Sequence, residues 1–426
     1  MKKYFLVIIG LTIFNIVSAQ KTIIYCGRLI DVNALQIQKE MSVVVIGNTI
    51  TEVAKGYVAF EANDKIIDLK NKTVMPGLMD MHVHVEAETG PNAYIERFTK
   101  NKTDIAFSSV NLVEKDLMSG FTTLRDLGGS GVNISLRNAI NKGLIKGPRI
   151  YTAGKAIATT GGHADPTNNY NEDIMGDPGP TEGVVNGVAD CAKAVRMRYK
   201  QGADLIKITA TGGVLSMAKD GSGAQFSEEE IKAIVSTAKD YGFKVAAHAH
   251  GVEGMKRAVL AGVNSIEHGT YMSAEIMELM KQRGTYLVPT IIAGKSSADS
   301  AKIPGYYPEI VRTKALVVGN YIQATFSKAY KAGVKIAFGT DAGVYAHGKN
   351  WMEFIYMTEG GMPILECIKS ATVNAADLLG VSNILGSIEK GKYADIIAVE
   401  GDPLIDVQVM GKVKFVMKNG VVYKNE

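Results

Sequence analysis

The 426-residue sequence is short of cysteine and has no cluster of positive charge, and each shortage excludes a class of protein. Its three cysteines, Cys26, Cys191 and Cys367, are scattered and odd in number, so they do not indicate a disulfide framework. A chain of this length can bury a hydrophobic core without disulfides. The formal net charge is +4 and no basic run accompanies it, so we expect neither nucleic acid nor an anionic surface as a partner.

The amino-terminal residues have the three parts of a secretory signal peptide. Met1-Lys2-Lys3 is basic, the stretch from Tyr4 to Val17 is apolar, and Ser18-Ala19 supplies small residues before Gln20. The apolar stretch is shorter than the roughly 20 residues that span a bilayer comfortably. We therefore predict cleavage of residues 1–19, a periplasmic or secreted protein, and no stable membrane insertion after cleavage; an uncleaved anchor is the alternative.

The two ends of the remaining chain have a similar β-rich pattern. Residues 20–73 and 388–426 contain short β-branched runs separated by turn pairs such as Gly47-Asn48 and Asn419-Gly420. We expect both termini to build one small β domain, a β-sandwich, while residues 74–387 form a second, larger domain.

Residues 74–387 alternate β-like runs with helical stretches. The helix predicted at Ser227–Tyr241, for example, begins with Ser227 and three glutamates, which is typical of a capped helix start. The candidate strands are Val74–Val85, Phe121–Leu127, Arg149–Ala158, Ala203–Thr209, Lys244–His250, Asn264–His268, Tyr286–Ile292 and Lys335–Thr340.

Eight such alternations predict an α/β fold, a (β/α)8 TIM barrel, whose functional residues would lie at the carboxyl ends of the strands. A doubly wound open sheet is the alternative, but the glycine-rich turns lack a dinucleotide fingerprint after the first strand. Two long connections, Thr159–Gly187 and Ala293–Pro308, are expected to be loops, and loops of that length in a compact domain are usually functional or disordered.

Two histidines end the first candidate strand. His82 and His84 are two residues apart, so their side chains leave an extended strand on the same face, about a metal-ligand spacing apart. His248 and His250 repeat this arrangement at the end of the fifth strand. The residues alone therefore indicate a metal site, although one such pair by itself could also be packing or surface histidines.

Lys207 lies in the fourth candidate strand, where alternation places it on the same side as Leu205 and Thr209. A charged lysine is costly to bury inside a barrel. It could be a lysine whose ammonium reaches water, or a desolvated neutral amine that reacts with carbon dioxide. The resulting carbamate would be an anionic ligand able to bridge two metals.

Further candidate ligands end the sixth and eighth strands. His268 follows Ile266-Glu267, and Asp341 follows Gly339-Thr340. Imidazoles, a carboxylate and a carbamate together make a nitrogen- and oxygen-rich set that suits zinc or another borderline divalent metal.

These motifs, taken together, resemble the amidohydrolase superfamily, in its imidazolonepropionase-like and Xaa-Pro dipeptidase branch. The resemblance covers essentially all of the mature chain. The matching landmarks, in order, are Val74-Met75-Pro76-Gly77-Leu78-Met79-Asp80-Met81-His82-Val83-His84, Ile206-Lys207-Ile208, Ala247-His248-Ala249-His250, Ile266-Glu267-His268-Gly269-Thr270, Gly339-Thr340-Asp341-Ala342 and Lys390-Gly391-Lys392-Tyr393-Ala394-Asp395-Ile396.

The resemblance implies a centre of two divalent metal ions, with Zn²⁺ the first expectation. It implies that a bridging hydroxide attacks the substrate and that Asp341 is both a metal ligand and the catalytic acid and base. It assigns the ligands as His82, His84 and Asp341 on the more buried metal, N6-carboxylated Lys207 between the metals, and His248 and His268 on the second metal.

Three further residues are candidate substrate-binding groups. His250 would hold a ligand in place or contact substrate, with simple packing as the alternative. His163, in the long loop after the third strand, would contact the substrate or be an exposed loop residue. Arg125 could bind a substrate carboxylate, although an ion pair with a neighbour is the more conservative interpretation.

The resemblance implies a hydrolase that cleaves a carbon–nitrogen bond in a small molecule, most simply a dipeptide or an N-acyl amino acid. A hydrolase of a cyclic amide, as in imidazolonepropionase, is the alternative, and predicted export argues against it. A catalytically inactive binding barrel is a third hypothesis, against which the complete ligand set speaks. The sequence leaves open whether the chain forms a homo-oligomer.

Overall fold

The structure is a computed structural model that describes residues 20–219 and 221–426, so the predicted signal peptide lies outside the described residues. The strands are β1 (Lys21–Asp31), β2 (Gln36–Ile46), β3 (Thr49–Lys55), β4 (Lys65–Pro76), β5 (Leu78–Val83), β6 (Phe121–Asp126), β7 (Arg149–Thr152), β8 (Ala158–Thr159), β9 (Val184–Val185), β10 (Ile206–Thr209), β11 (Val245–Ala249), β12 (Ser265–His268), β13 (Tyr286–Val288), β14 (Ile396–Val399), β15 (Val413–Lys418) and β16 (Val421–Asn425).

The helices lie mainly between the parallel strands. They are α1 (Ala93–Thr99), α2 (Lys102–Met118), α3 (Val132–Asn141), α4 (Glu172–Met175), α5 (Gly187–Gln201), α6 (Glu228–Asp240), α7 (Val252–Ala261), α8 (Ala274–Arg283), α9 (Ile291–Ser300), α10 (Glu309–Lys331), α11 (Met352–Glu359), α12 (Ile364–Ser370) and α13 (Val373–Leu379), with a short 3-10 helix at Val407–Gly411. The start predicted for α6 is confirmed, because Ser227 and Glu230 form a capping box there.

Both termini build one seven-stranded sheet in the order β16-β15-β14-β4-β1-β2-β3. Strand β4 is parallel to β1 and antiparallel to β14, which joins the two halves in a single hydrogen-bonded ladder. The expected pair of sandwich sheets is therefore corrected to one mixed sheet. Ile24, Val43, Ile396 and Phe415 pack in its core.

The middle of the chain forms two parallel sheets, β5-β6-β7 and β10-β11-β12-β13. This is the alternation of strand and helix that the sequence predicted. Backbone hydrogen bonds join the sheets through two irregular segments. Ile157 N donates to Lys207 O at 2.8 Å, Leu287 N donates to Lys335 O at 2.8 Å, and Met81 N donates to Phe338 O at 2.9 Å.

The two sheets do not form one continuous eight-stranded ladder, because three candidate strands are cut short. The third ends at Thr152 before the chain turns through Gly154 at φ +66°. The seventh ends at Val288, since Thr290 has φ +51° and α9 starts at Ile291. The eighth, 335–340, is not a regular strand: Phe338 N bonds to Ser370 O instead of to a neighbouring strand.

Two other boundaries differ from the sequence expectations. The segment predicted as one strand at Val74–Val85 is split at Gly77, where a Cβ would lie 2.3 Å from Thr122 Oγ1, and its first residues belong to the terminal sheet. The first half of the second long loop, expected at Ala293–Pro308, belongs to the helix α9, and only its second half is a loop. Among the described residues, no helix has the length and apolar character needed to cross a membrane.

Candidate metal centre

The predicted ligands meet at one end of the parallel strands. His82 lies in β5 with His84 just after it, and Lys207 and His248 lie in β10 and β11. Because the carboxyl ends of parallel strands meet at the same edge, these side chains reach a common cavity of about 750 Å³. The cavity is also lined by His268 at the end of β12, and by His163, His250 and Asp341.

Short distances connect the polar atoms at the bottom of the cavity. Asp341 Oδ1 lies 3.5 Å from His82 Nε2 and 3.3 Å from His84 Nε2, while Lys207 Nζ lies 3.4 Å from His82 Nε2. Two three-residue groups have ligand atoms within 4.8 Å of one another: His82, His268 and Asp341, and His248, His250 and His268. His268 belongs to both groups, so the two clusters are adjacent.

Five of these histidines have one ring nitrogen bonded to a neighbouring protein group. His82 Nδ1 lies 3.0 Å from Glu267 Oε2, and His84 Nδ1 lies 2.8 Å from Gly128 O. Such contacts fix the ring orientation and the tautomer, and leave the other nitrogen of each ring for the site. The remaining contacts are His248 Nε2 with Gly212 O at 3.0 Å, His250 Nδ1 with Thr270 Oγ1 at 2.7 Å, and His268 Nδ1 with Thr290 Oγ1 at 2.7 Å.

Burial sets the charge states of the cluster. It lowers the pKa of His82 and of His268 far below the usual range, and that of His84 to about 4. Burial also lowers the pKa of Lys207 and raises that of Asp341. Neutral imidazoles and a desolvated amine are the forms that can ligate a metal or, for the amine, react with carbon dioxide.

The residues fit a divalent metal on an observation independent of the motifs. Asp341 Oδ1 is a buried oxygen without a hydrogen-bond partner, and it lies between two histidine nitrogens. Buried polar atoms are rarely left unpaired in native proteins unless an ion, water or catalytic role accounts for them. A cation at this position would pair with that oxygen, and the nitrogen- and oxygen-rich donor set is one that zinc accepts.

Three of the seven described non-glycine residues with positive φ lie at the same edge of the strands. His268, Thr290 and Asp341 have φ values of +70°, +51° and +59°, in a region that residues other than glycine adopt infrequently. Thr290 bonds to the His268 ring, so all three strained residues belong to the site. Strain of this kind persists where the surrounding structure fixes a functional geometry.

Arg125 and Glu267 form a buried ion pair beneath the cluster. Arg125 NH2 donates to Glu267 Oε1 at 2.9 Å, and its Nε donates to Met81 O at 2.6 Å. The guanidinium is 1% exposed and does not line the cavity, so the suggested contact of Arg125 with a substrate carboxylate is corrected to the ion-pair alternative. Sequence reasoning missed the role of Glu267, although a glutamate inside a buried strand, just before His268, is a signal of it.

His163 lies at the cavity and is not an exposed loop residue, while its contact with substrate stays a prediction. Its ring stacks on His248 with centroids 4.3 Å apart and an angle of 21° between planes, and its buried Nδ1 has no hydrogen-bond partner. Gly213 makes this position available, because a Cβ there would lie 2.3 Å from His163 Nδ1. His250 is also buried here, stacked 5.0 Å from His268.

Two further sets of buried hydrogen bonds, which were not predicted from the sequence, support the first strand. Asp80 accepts from Thr340 Oγ1 at 2.6 Å and from Asn350 Nδ2 at 2.8 Å, and so ties β5 to the segment that carries Asp341. His347 Nδ1 lies 2.7 Å from Asp116 Oδ2, and its Nε2 lies 3.2 Å from the backbone oxygen of His84. Asp80 precedes His82 by two residues on the same strand face, so this spacing could have indicated that Asp80 lies near the site. No sequence pattern indicates the pair of His347 and Asp116.

Known proteins are similar to this chain over almost its whole length. The chain matches the amidohydrolase family over residues 73–423. A crystal structure of a Xaa-Pro dipeptidase with methionine bound in its active site is similar, with a TM-score of 0.93 and 53% identity over 95% of this chain and 100% of that one.

Two other proteins are similar over nearly the whole chain. A prolidase crystallised with N-methylphosphonate-L-proline has a TM-score of 0.88 and 33% identity, over 96% of this chain and 100% of that one. The ochratoxinase of Aspergillus niger is 33% identical, over 96% of this chain and 87% of its own length. The chain belongs to the amidohydrolase family, and it is a hydrolase that acts on carbon–nitrogen bonds.

Proposed function

We propose that this protein is a metal-dependent dipeptidase or N-acyl amino acid hydrolase that uses a centre of two divalent ions. The observation that carries the proposal is the convergence of the buried Asp341 Oδ1, Lys207 Nζ and the histidine nitrogens at one end of the parallel strands. The similarity to a Xaa-Pro dipeptidase and to a prolidase supports a substrate with an amino acid on the leaving side.

The two ions, preferably zinc, would supply a water of lowered pKa and a polarised scissile carbonyl. His82, His84 and Asp341 would hold one ion, and His248 and His268 the other. N6-carboxylated Lys207 would lie between them, and the burial that lowers its pKa favours the neutral amine that this modification requires.

The protein side chains would move and orient the reacting groups. Asp341, whose Oδ1 is buried and unpaired, would accept the proton of the attacking water and return it to the leaving nitrogen. His163, with a buried unpaired Nδ1 at the cavity, would contact the substrate at the reacting carbonyl. His250 would hold its neighbours His248 and His268 in place through ring contacts of 4.7 Å and 5.0 Å.

We propose in addition that the two parallel sheets form a (β/α)8 barrel, closed through the segments around Ile157 and 335–341. The backbone bonds of Ile157, Leu287 and Met81 across the gaps support this arrangement. The domain boundaries at residues 20–73, 74–387 and 388–426 stay predictions. Export also stays a prediction, and it can be tested by measuring the mass of the mature protein from the periplasm or the medium. A chain that begins at Gln20 would support export, and retained Met1 would contradict it.

The test of function is a substrate panel on purified protein whose metal content has been measured. The panel contains Xaa-Pro and other dipeptides, N-acyl amino acids and a cyclic amide of the imidazolonepropionase type. Hydrolysis of a linear amide, lost with a chelator and restored by zinc, is the expected result. Turnover of the cyclic amide alone would favour the alternative, and metal-replete protein without any hydrolysis would favour an inactive binding protein.

A further inference from the structure

A loop at residues 213–218 forms one wall of the cavity. Val214, Leu215, Ser216 and Met217 all line it, together with the metal-centre residues. This loop leaves the carboxyl end of β10, where Thr211 forms an isolated bridge with Ala224. It contains little regular structure, so something outside the loop must hold its shape.

Lys314 of α10 supplies that support. Its ammonium donates to three backbone oxygens of the loop: Gly213 O at 2.9 Å, Ser216 O at 2.9 Å and Ala218 O at 2.7 Å. Each of these three bonds is strengthened by the positive charge of the ammonium. The Lys314 side chain also lies close to Gly221, which follows the loop, because a Cβ on Gly221 would lie 3.2 Å from Lys314 Cδ.

Apolar packing adds to these bonds on the same helix. Val214 is buried in a cluster with Val311, Ala315 and Val318 of α10, and Leu215 and Met217 pack against it. Tyr94 of α1 ties the loop from the other side, because its hydroxyl donates to Leu215 O at 2.8 Å. The loop is thus held between α10 and α1.

The loop and the residue before it also contact side chains of the metal centre. Gly213 lies against the His163 ring, and the preceding residue, Gly212, offers its backbone oxygen to His248 Nε2 at 3.0 Å. A loop that moved away from α10 would enlarge the cavity and remove one boundary of the space in which His163 is held.

We propose that Lys314 is a positioning residue for substrate binding, which holds the loop 213–218 as a fixed wall of the cavity. Lys314 does not touch the reacting atoms. It acts through the loop, so its loss should weaken substrate binding most for substrates with large side chains, which use this wall. The kinetic part of the inference rests on the proposed function, whereas the structural part does not.

The test compares Lys314→Met, which keeps the length of the side chain and removes its donors, with Lys328→Met, which changes an exposed lysine of the same helix. Hydrogen exchange, measured without substrate, should become at least about tenfold faster at the loop amides in Lys314→Met only. Metal content should remain equal to that of the unchanged protein. Unchanged exchange at the loop overturns the proposal, whatever the enzyme proves to hydrolyse.

Kinetics on a hydrolysed substrate series then separate positioning from general damage. In Lys314→Met, KM should rise about tenfold for substrates with large apolar side chains, with little change for a glycine-containing one, while kcat stays within about threefold. Lys314→Arg should recover part of the loss. A uniform fall of kcat with unchanged KM would contradict the positioning role.

A milder variant keeps the test decisive if Lys314→Met does not fold. Tyr94→Phe removes only the hydroxyl that bonds to Leu215 O, and it should raise loop exchange and KM in the same direction by a smaller factor. Lys314→Gln, whose shorter amide cannot supply donors to all three loop oxygens, should do the same, and wild-type loop exchange and KM in Lys314→Gln would refute the proposal.

Discussion

Replacing Gly213 by alanine should displace His163 without disturbing the metal ligands. A Cβ at position 213 would lie 2.3 Å from both Nδ1 and Cε1 of His163 and 2.5 Å from its Nε2, far inside any van der Waals contact. Gly213 is not among the residues with positive φ, so its backbone accepts alanine. The imidazole must therefore leave its stacked position on His248, 4.3 Å away.

The size of the effect follows from the role proposed for His163. If its ring contacts the reacting carbonyl in the transition state, losing that contact should cost about 10²-fold in kcat/KM, or about 2.7 kcal/mol. Metal content should not change, because His163 is not among the assigned ligands. Gly90→Ala is the matched control, since an added Cβ there meets nothing within 4 Å.

A double-mutant cycle on kcat/KM gives the sharpest form of the assay. His163→Ala should lose about as much activity as Gly213→Ala, and the double variant should be no worse than His163→Ala alone, since both changes remove the same contact. Wild-type kcat/KM in Gly213→Ala, or losses that multiply in the double variant, would show that Gly213 does not act by holding His163 in a catalytic position.

Three further predictions address the metal centre and its support. Asp341→Asn should bind nearly its full metal complement, measured by elemental analysis. It should turn over at least about 10²-fold more slowly, because the amide cannot take up a proton. A kcat near wild type would show that Asp341 is not the catalytic acid and base. Lys207→Ala should lose metal and activity together, and a short carboxylic acid added to the buffer should partly restore both. Lys207→Arg should not replace the lysine, because a guanidinium cannot form a carbamate. Normal metal content in Lys207→Ala would count against the bridging role of Lys207. Arg125→Met should lower the free energy of unfolding by about 3–5 kcal/mol in denaturant titrations, because Glu267 is left as a buried, uncompensated charge. An unfolding midpoint equal to that of the wild type would show that the ion pair is dispensable for stability.

The parts of the site that sequence could predict are those set by local alternation. His82 with His84, and His248 with His250, are i, i+2 pairs on strands, and the structure brings both pairs to one cavity. Lys207 and His268 followed from their positions in β-like runs. These placements depend only on the extended backbone and on the shared edge of parallel strands.

The missed features depend on contacts between distant parts of the chain. Arg125 meets Glu267 across 142 positions, and His347 meets Asp116 across 231, so no local pattern reveals either pair. The segment at 335–341 is apolar, and this pattern predicted a strand. In the structure, however, Phe338 N donates to Ser370 O, and the segment ends at Asp341, which has a φ of +59°. Tertiary bonding overrode the local preference there.

We propose a catalytic centre of two metal ions in the buried cluster of Asp341, Lys207 and the four histidines His82, His84, His248 and His268. The most direct test strips the purified protein of metal and titrates zinc back while hydrolysis of a responsive dipeptide or N-acyl amino acid is recorded. Activity should be absent without metal and should rise to a break at two equivalents of zinc per chain. Full activity in the metal-free protein, or a break at one equivalent with no further gain, would contradict it.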